Sequence, residues 1–168
     1  SLQALLDVME MENDKTSVIY FFDKEEIGSD GATGANSIFF LDFIGDILKY
    51  NNEDTGSFNI RKTLIKSAVL SADVNAAINP NFPSVHEANN AVHMGHGVGI
   101  AKFTGSGGKG GSNDASSEFV AKVMKIFNDE KVNWQIGELG KVDEGGGGTI
   151  AKFLAYYGCD VVDCGPGL

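Results

Sequence analysis

Ser17-Val-Ile-Tyr-Phe-Phe22 is an unbroken apolar run, and Asp23-Lys24-Glu25-Glu26 follows it directly. Five apolar residues in succession after Ser17 predict a strand buried on both faces, with the charges standing at its carboxyl end. Upstream, Leu2, Leu5, Leu6 and Met9 keep helical spacing from the second residue. Downstream, Ile38, Leu41, Ile44, Ile47 and Leu48 predict a helix that the polar Asn51-Asn52-Glu53-Asp54 closes, and Ile60, Leu64 and Ile65 predict another. A second strand follows over residues 68–74 and carries Ser71-Ala72-Asp73. Residues 78–96 contain Asn79-Pro-Asn-Phe-Pro83 and no periodicity, and read as a long ordered loop. Residues 97–103 predict a strand leading into the glycine-rich stretch 105–111. Asn113 or Asp114 is expected to cap a helix that shows Phe119, Val123, Ile126 and Phe127 on one face. A strand over 133–139, a helix over 149–157 stopped by Gly158 and a last strand over 161–164 complete the chain. This alternation predicts an α/β three-layer sandwich with a mostly parallel central sheet and helices on both faces, where ligands gather outside the strand carboxyl ends.

The 168 residues, 42% of them hydrophobic, suffice for one domain and not for two. Thirteen Lys and Arg stand against 23 Asp and Glu, a net charge of −10 that disfavours nucleic acid and anionic membrane surfaces as partners. Residues 1–60 hold 12 of the acids and 3 of the bases, which directs the search for a carboxylate site to the first third. Apolar stretches are too short to span a membrane, and the opening residues lack a secretory leader. Cys159 and Cys164 make no disulfide framework, so a reducing, cytoplasmic setting is expected. Helical periodicity begins at the second residue and the chain stops just after an apolar strand, so it reads as the middle of something longer.

Glu25 and Glu26 point in different directions at a predicted strand end. One can hold a divalent metal ion while the other handles a proton; taken alone, such a pair is more often merely a solvated turn. Asp73, at the end of another predicted strand, can converge with Glu26 if the two strands are near neighbours. His93-Met-Gly-His96, preceded by His86-Glu87, offers a second metal arrangement, which Gly95 and Gly97 oppose by breaking the helix it needs. His86 and His93 stay candidates for contact with substrate or a neighbouring subunit. The Gly145-Gly-Gly-Gly148 run lacks the Lys-Ser/Thr of a nucleotide loop, and Asp143-Glu144 would repel phosphate. Gly146 and Gly147 suit close backbone approach instead, with N–H groups free to meet a peptide carbonyl or oxyanion. Lys102 could pair with a substrate carboxylate or be a plain surface lysine. Cys164 reads as a small core residue, not a nucleophile.

Phe22-Asp-Lys-Glu-Glu-Ile-Gly-Ser29, Ser71-Ala-Asp-Val74 with Asn79-Pro-Asn81, and the closing residues 145–167 together resemble the aminopeptidase I (aspartyl aminopeptidase) family of dizinc metallopeptidases, in its bacterial branch. The resemblance implies Glu25 as general base, Glu26 as a ligand of one zinc and Asp73 as a ligand of the other. It implies two zinc ions per complete site, replaceable by cobalt or manganese, a peptide substrate held by its free N-terminus, and homododecamers. Lys102 lies near the position where the family selects an acidic first side chain.

The sequence departs from that pattern in several places. The family's site also uses a His near the start of the enzyme, a bridging Asp upstream of the opening helix and a His in a Met-His-Ser segment after the last strand; none is in these residues. The usual Ala-His after Ser-Ala-Asp-Val is Asn75-Ala76. Residues 1–168 are therefore expected to be the central part of a single catalytic domain, zinc-peptidase-like and truncated at both ends, without the family's inserted oligomerisation domain. On its own this chain is expected to be inactive. Two other readings stand beside it: a related glutamyl aminopeptidase-type dizinc peptidase, which shares a Glu-Glu-Ile/Val-Gly motif, and a non-catalytic scaffold that keeps the fold.

Overall fold

A computed structural model describes residues 1–106, 110–138 and 140–168. The elements run α1 (Leu2–Val8), α2 (Phe39–Tyr50), α3 (Ser57–Ile65), β1 (Ala68–Ala72), β2 (Val98–Ala101), β3 (Phe103–Ser106), β4 (Gly110–Asp114), α4 (Ser117–Asp129), β5 (Trp134–Ile136), β6 (Gly146–Gly147), α5 (Ala151–Tyr156) and β7 (Asp160–Pro166). Four strands form the main sheet in the order β1-β7-β2-β5. The β1–β7 and β2–β5 pairs are parallel, and β7 meets β2 antiparallel.

Strand β7 organises both cores, because successive residues of a strand point to opposite faces. Val161 packs with Phe40 and Ile44 of α2, Leu64 of α3 and Ala151 and Leu154 of α5. Val162 turns the other way, onto Ile100 of β2 and Phe119, Val120 and Val123 of α4. Helices therefore cover both faces of the sheet, as the alternating pattern predicts. The helices follow their apolar spacing: α2 buries Phe40 and Ile44, one turn apart, and α4 buries Phe119, Val120 and Val123. Gly158 takes φ +87° after α5 and ends that helix.

Three local expectations are corrected. Residues 17–22 do not enter a ladder with any described strand; the first bridge nearby joins Asp23 to Gly34. Only one side of the run meets a core. Tyr20 and Phe22 lie against the α2 rings, with Tyr20 centroids 5.3 Å from Phe40 and 5.1 Å from Phe43, whereas Phe21 remains 72% exposed. Second, α4 is capped by Ser116, whose Oγ accepts from Phe119 N at 3.3 Å; Asn113 and Asp114 belong to β4. Third, the strand expected over 97–103 breaks at Lys102. The chain passes there into a second, antiparallel sheet, β4-β3-β6, that glycine-rich sequence without side-chain alternation did not announce. Residues 107–109 of the 105–111 stretch lie outside the described residues, as does Leu139 of the strand expected over 133–139.

Candidate metal and catalytic centre

The Glu-Glu pair sits on a single 3₁₀ turn, Glu25–Ile27, entered through Lys24 at φ 65° and left through Gly28 at φ 89°. Backbone bonds from Gly28 N to Glu25 O (2.9 Å) and from Ser29 N to Lys24 O (2.8 Å) close the turn. Asp23 braces it from outside: its carboxylate pairs with Lys24 at 3.0 Å and accepts from Thr33 Oγ1 at 2.9 Å. The hydrogen bonds from Lys24 first and Thr33 second hold Asp23 below its usual carboxylate range. Consecutive residues on so tight a turn diverge, which leaves Glu25 half-buried and Glu26 exposed.

Asp73 follows directly on β1 and is half-buried; its Oδ1 accepts from Val74 N at 2.7 Å. The backbone behind it is packed so closely that a Cβ on Gly165 would stand 1.5 Å from Asp73 O. This turn and this strand end converge. Burial raises the Glu25 carboxyl above its ordinary range, and the negative charges of Asp73 and then Glu26 act in the same direction. Of the three residues paired in the sequence, Glu25 lies within electrostatic reach of both Asp73 and its neighbour Glu26.

Carboxylates are ligands that a divalent cation can use. Zinc, however, asks for about three protein ligands even in an open catalytic site, and among the described residues no group of three His, Cys, Asp or Glu is arranged to hold a metal. The donors present do not by themselves fit zinc.

The other sequence candidates lie apart from this centre in their contacts. His86 accepts a hydrogen bond at Nε2 from Asn79 N, 3.1 Å, and so closes its own loop. His93 and His96 stack at 5.4 Å on the surface, and His93 is fixed through its backbone by Gln135 in both directions, at 2.9 Å each. Lys102 is ion-paired with Asp114, a partner that would compete with any substrate carboxylate. Gly146 and Gly147 form β6, pairing with Ser106 and Gly105, and Gly146 needs glycine for its φ of +99°. Part of their backbone is thereby committed to the second sheet. Cys164 is buried and its thiol is pushed up to about 11 by burial, consistent with a core residue.

One group that the sequence reading passed over is Asp163, 3% exposed on β7. Its Oδ2 accepts from Thr149 Oγ1 at 2.8 Å, and Ser71 of β1 is its register partner. Burial raises its carboxyl, the Ser71 and Thr149 hydroxyls oppose that shift, and the Asp73 charge adds to it. A single Asp inside the apolar Val161-Val162-Asp163-Cys164 is the signal that could have found it.

A mixed four-stranded sheet clothed by helices on both faces, with Glu25 within electrostatic reach of Asp73 at a strand end, defines an α/β sandwich domain. The sequence profile of the Aminopeptidase I zinc metalloprotease (M18) family matches residues 1–168, and the chain belongs to that family. The probable M18 family aminopeptidase 1 of Thermotoga maritima is 48% identical over 165 residues, 98% of this chain and 37% of that protein. A crystal structure of an M18-family aminopeptidase from Thermotoga maritima superposes with a TM-score of 0.81 at 51% identity, covering 88% of this chain and 33% of that one. The mApe1 dodecamer of S. cerevisiae, 23% identical with a TM-score of 0.60 over 86% of this chain and 30% of its own, shares the fold. The chain spans about a third of the length of these relatives. No helix among the described residues is long and apolar enough to cross a membrane.

Proposed function

We propose that residues 1–168 are the central part of the catalytic domain of a dizinc aminopeptidase that releases N-terminal residues from peptides. Glu25 is the general base and takes the proton of the water that attacks the peptide carbonyl. Glu26 and Asp73 would each supply one ligand to a two-zinc centre in the full-length protein, in which cobalt or manganese could substitute. His86, Lys102, Gly146 and Gly147 contact the peptide; Lys102 does so only by leaving Asp114. The complete enzyme is a cytoplasmic homododecamer, a reading that the mApe1 assembly and the free, buried Cys159 and Cys164 support.

The observation that carries this reading is the family match over residues 1–168, together with the half-buried Glu25 placed on its turn within electrostatic reach of Asp73. A base that must accept a proton near neutral pH needs its carboxyl tuned upward, the direction in which burial moves Glu25. With one ligand offered to each zinc, this chain alone binds metal weakly and does not turn over. The test is incubation of purified residues 1–168 with zinc and a leucyl or aspartyl chromogenic amide. No hydrolysis is expected; hydrolysis abolished by Glu25→Gln would overturn the inactivity. In the natural polypeptide carrying these residues, Glu25→Gln should abolish turnover and spare metal content, whereas loss of both zincs would make Glu25 a ligand.

A second reading, a non-catalytic module that keeps the fold, draws on the lack of a three-donor group among the described residues. A natural polypeptide purified free of zinc and unable to take it up would favour it.

A further inference from the structure

Asp163 is costly where it stands. A carboxylate 3% exposed loses nearly all its hydration, and no Lys, Arg or His among the described residues pairs with it. Its β7 neighbours Val161, Val162 and Cys164 are apolar and buried, so an aliphatic side chain would suit the packing of this strand better. What the carboxylate does have is position. It lies on the same side of β7 as Val161, toward α5, and reaches the chain just before that helix through the 2.8 Å bond from Thr149 Oγ1. Thr149 in turn accepts from Ala151 N at 3.2 Å, so the same hydroxyl sets the start of α5 at the exit of the glycine run 145–148.

The other oxygen, Asp163 Oδ1, and Ser71 Oγ are both buried without a well-formed hydrogen bond, although the Ser71 hydroxyl is near enough to act on the Asp163 carboxyl. These two residues are register partners on adjacent parallel strands, one an acceptor and the other a hydroxyl donor. Rotation of the Ser71 side chain satisfies both at once. Ser71 lies in β1, two residues before Asp73, which follows the end of that strand.

We infer that Asp163 is a positioning residue that ties the glycine run 145–148, through Thr149, to the strand end that presents Asp73, through Ser71. The inference rests on the proposed peptidase reading only for what the two tied segments do. The tie itself is a property of the fold.

The two ends then report on each other, and amide hydrogen exchange followed by mass spectrometry in the full natural polypeptide reads this without reference to turnover. Thr149→Val removes one hydroxyl and should speed exchange about tenfold at the distant residues 71–75; Ser71→Ala should do the same at 146–151. Val123→Ala, in the core on the other face of the sheet, controls for general loss of stability and should leave the ratio between these segments and the rest of the sheet unchanged. Asp163→Asn keeps an acceptor for Thr149 and gains a donor for Ser71, so it should stay within about twofold of the parent while Asp163→Ala accelerates both segments. Exchange at the far segment within about twofold of the parent in both Thr149→Val and Ser71→Ala would overturn the tie. Equal acceleration by Asp163→Asn and Asp163→Ala would also overturn it, by placing the effect in the charge. If Asp163→Ala does not fold, the two hydroxyl variants decide alone. Failure of the tie leaves the Glu25→Gln result untouched, so the two readings fail separately.

Discussion

Replacing Gly165 by alanine tests the close packing behind Asp73. The added methyl carbon would lie 1.5 Å from Asp73 O and 2.6 Å from Asp73 C, where real contacts do not fall below 3.0 Å. The obstructing atoms are backbone, so no side chain can swing aside, and the strands must part by about 1.5 Å. Neighbouring strands are only ~4.8 Å apart, and the bonds from Asp73 N to Cys164 O (3.4 Å) and Asn75 N to Pro166 O (2.9 Å) cross this gap. Overpacking of this kind costs about 1–3 kcal/mol, and loss of two ladder bonds adds about 1 kcal/mol each. A total near ~4 kcal/mol corresponds, at about 2–4 °C per kcal/mol for a domain of this size, to a melting point lower by roughly 10 °C. Thermal unfolding followed by circular dichroism measures it. Gly45→Ala is the internal control: it lies inside α2, its new methyl meets only Ile60 Cδ1 at 3.4 Å, and removing a helical glycine should stabilise by up to about 1 kcal/mol. A Gly165→Ala protein that melts within about 2 °C of the parent would refute the packing described for the Asp73 strand end.

Three further outcomes are expected. Ser116→Ala should cost about 1 kcal/mol through loss of the α4 cap, and Asp114→Ala should leave helix content unchanged; the reverse order in paired melts would return the cap to β4. Asp163 has a raised carboxyl in the fold, so the stability it contributes is complete below the unfolded carboxylate range and is lost as pH rises through the folded value. The melting point of Asp163→Asn should therefore gain on the parent between pH 4 and pH 7; a difference that is flat or falls with pH would contradict the shift. Cys159 and Cys164, with thiols at about 11 and both buried, carry on the order of one thiolate in a thousand at pH 8, so a disulfide reagent should label them only as the protein unfolds.

Sequence periodicity revealed those elements whose burial is one-sided and regular. In α2, Ile44, Ile47 and Leu48 recur at helical spacing because one stripe of that helix meets the sheet, and the same logic locates α4. Periodicity failed where side chains carry no alternation. β3, β4 and β6 are built largely from Gly, Ser and Thr, and pair through backbone groups that a hydropathy pattern does not record. It misled at residues 17–22, because an apolar run looks the same whether two faces are covered or one. Within the candidate site, Glu25 was legible as a charge closing an apolar run and Asp73 as a charge at a strand end, and their mutual approach is what the fold adds. Asp163 was not singled out, since local sequence does not reveal that Thr149 and Ser71 flank it. His86 and Lys102 were legible as candidates, but Asn79 N and Asp114, which engage them, are tertiary partners.

The division of labour along β7 has a consequence for how the domain settles into shape. Sliding this strand by one position would exchange its two faces and press the Asp163 carboxylate among Phe119, Val120 and Val123, while Thr149 would face Val162 or Cys164. A misthreaded central strand is thus penalised from both faces at once. The residue that makes the interior expensive is also the one that allows the strand a single alignment.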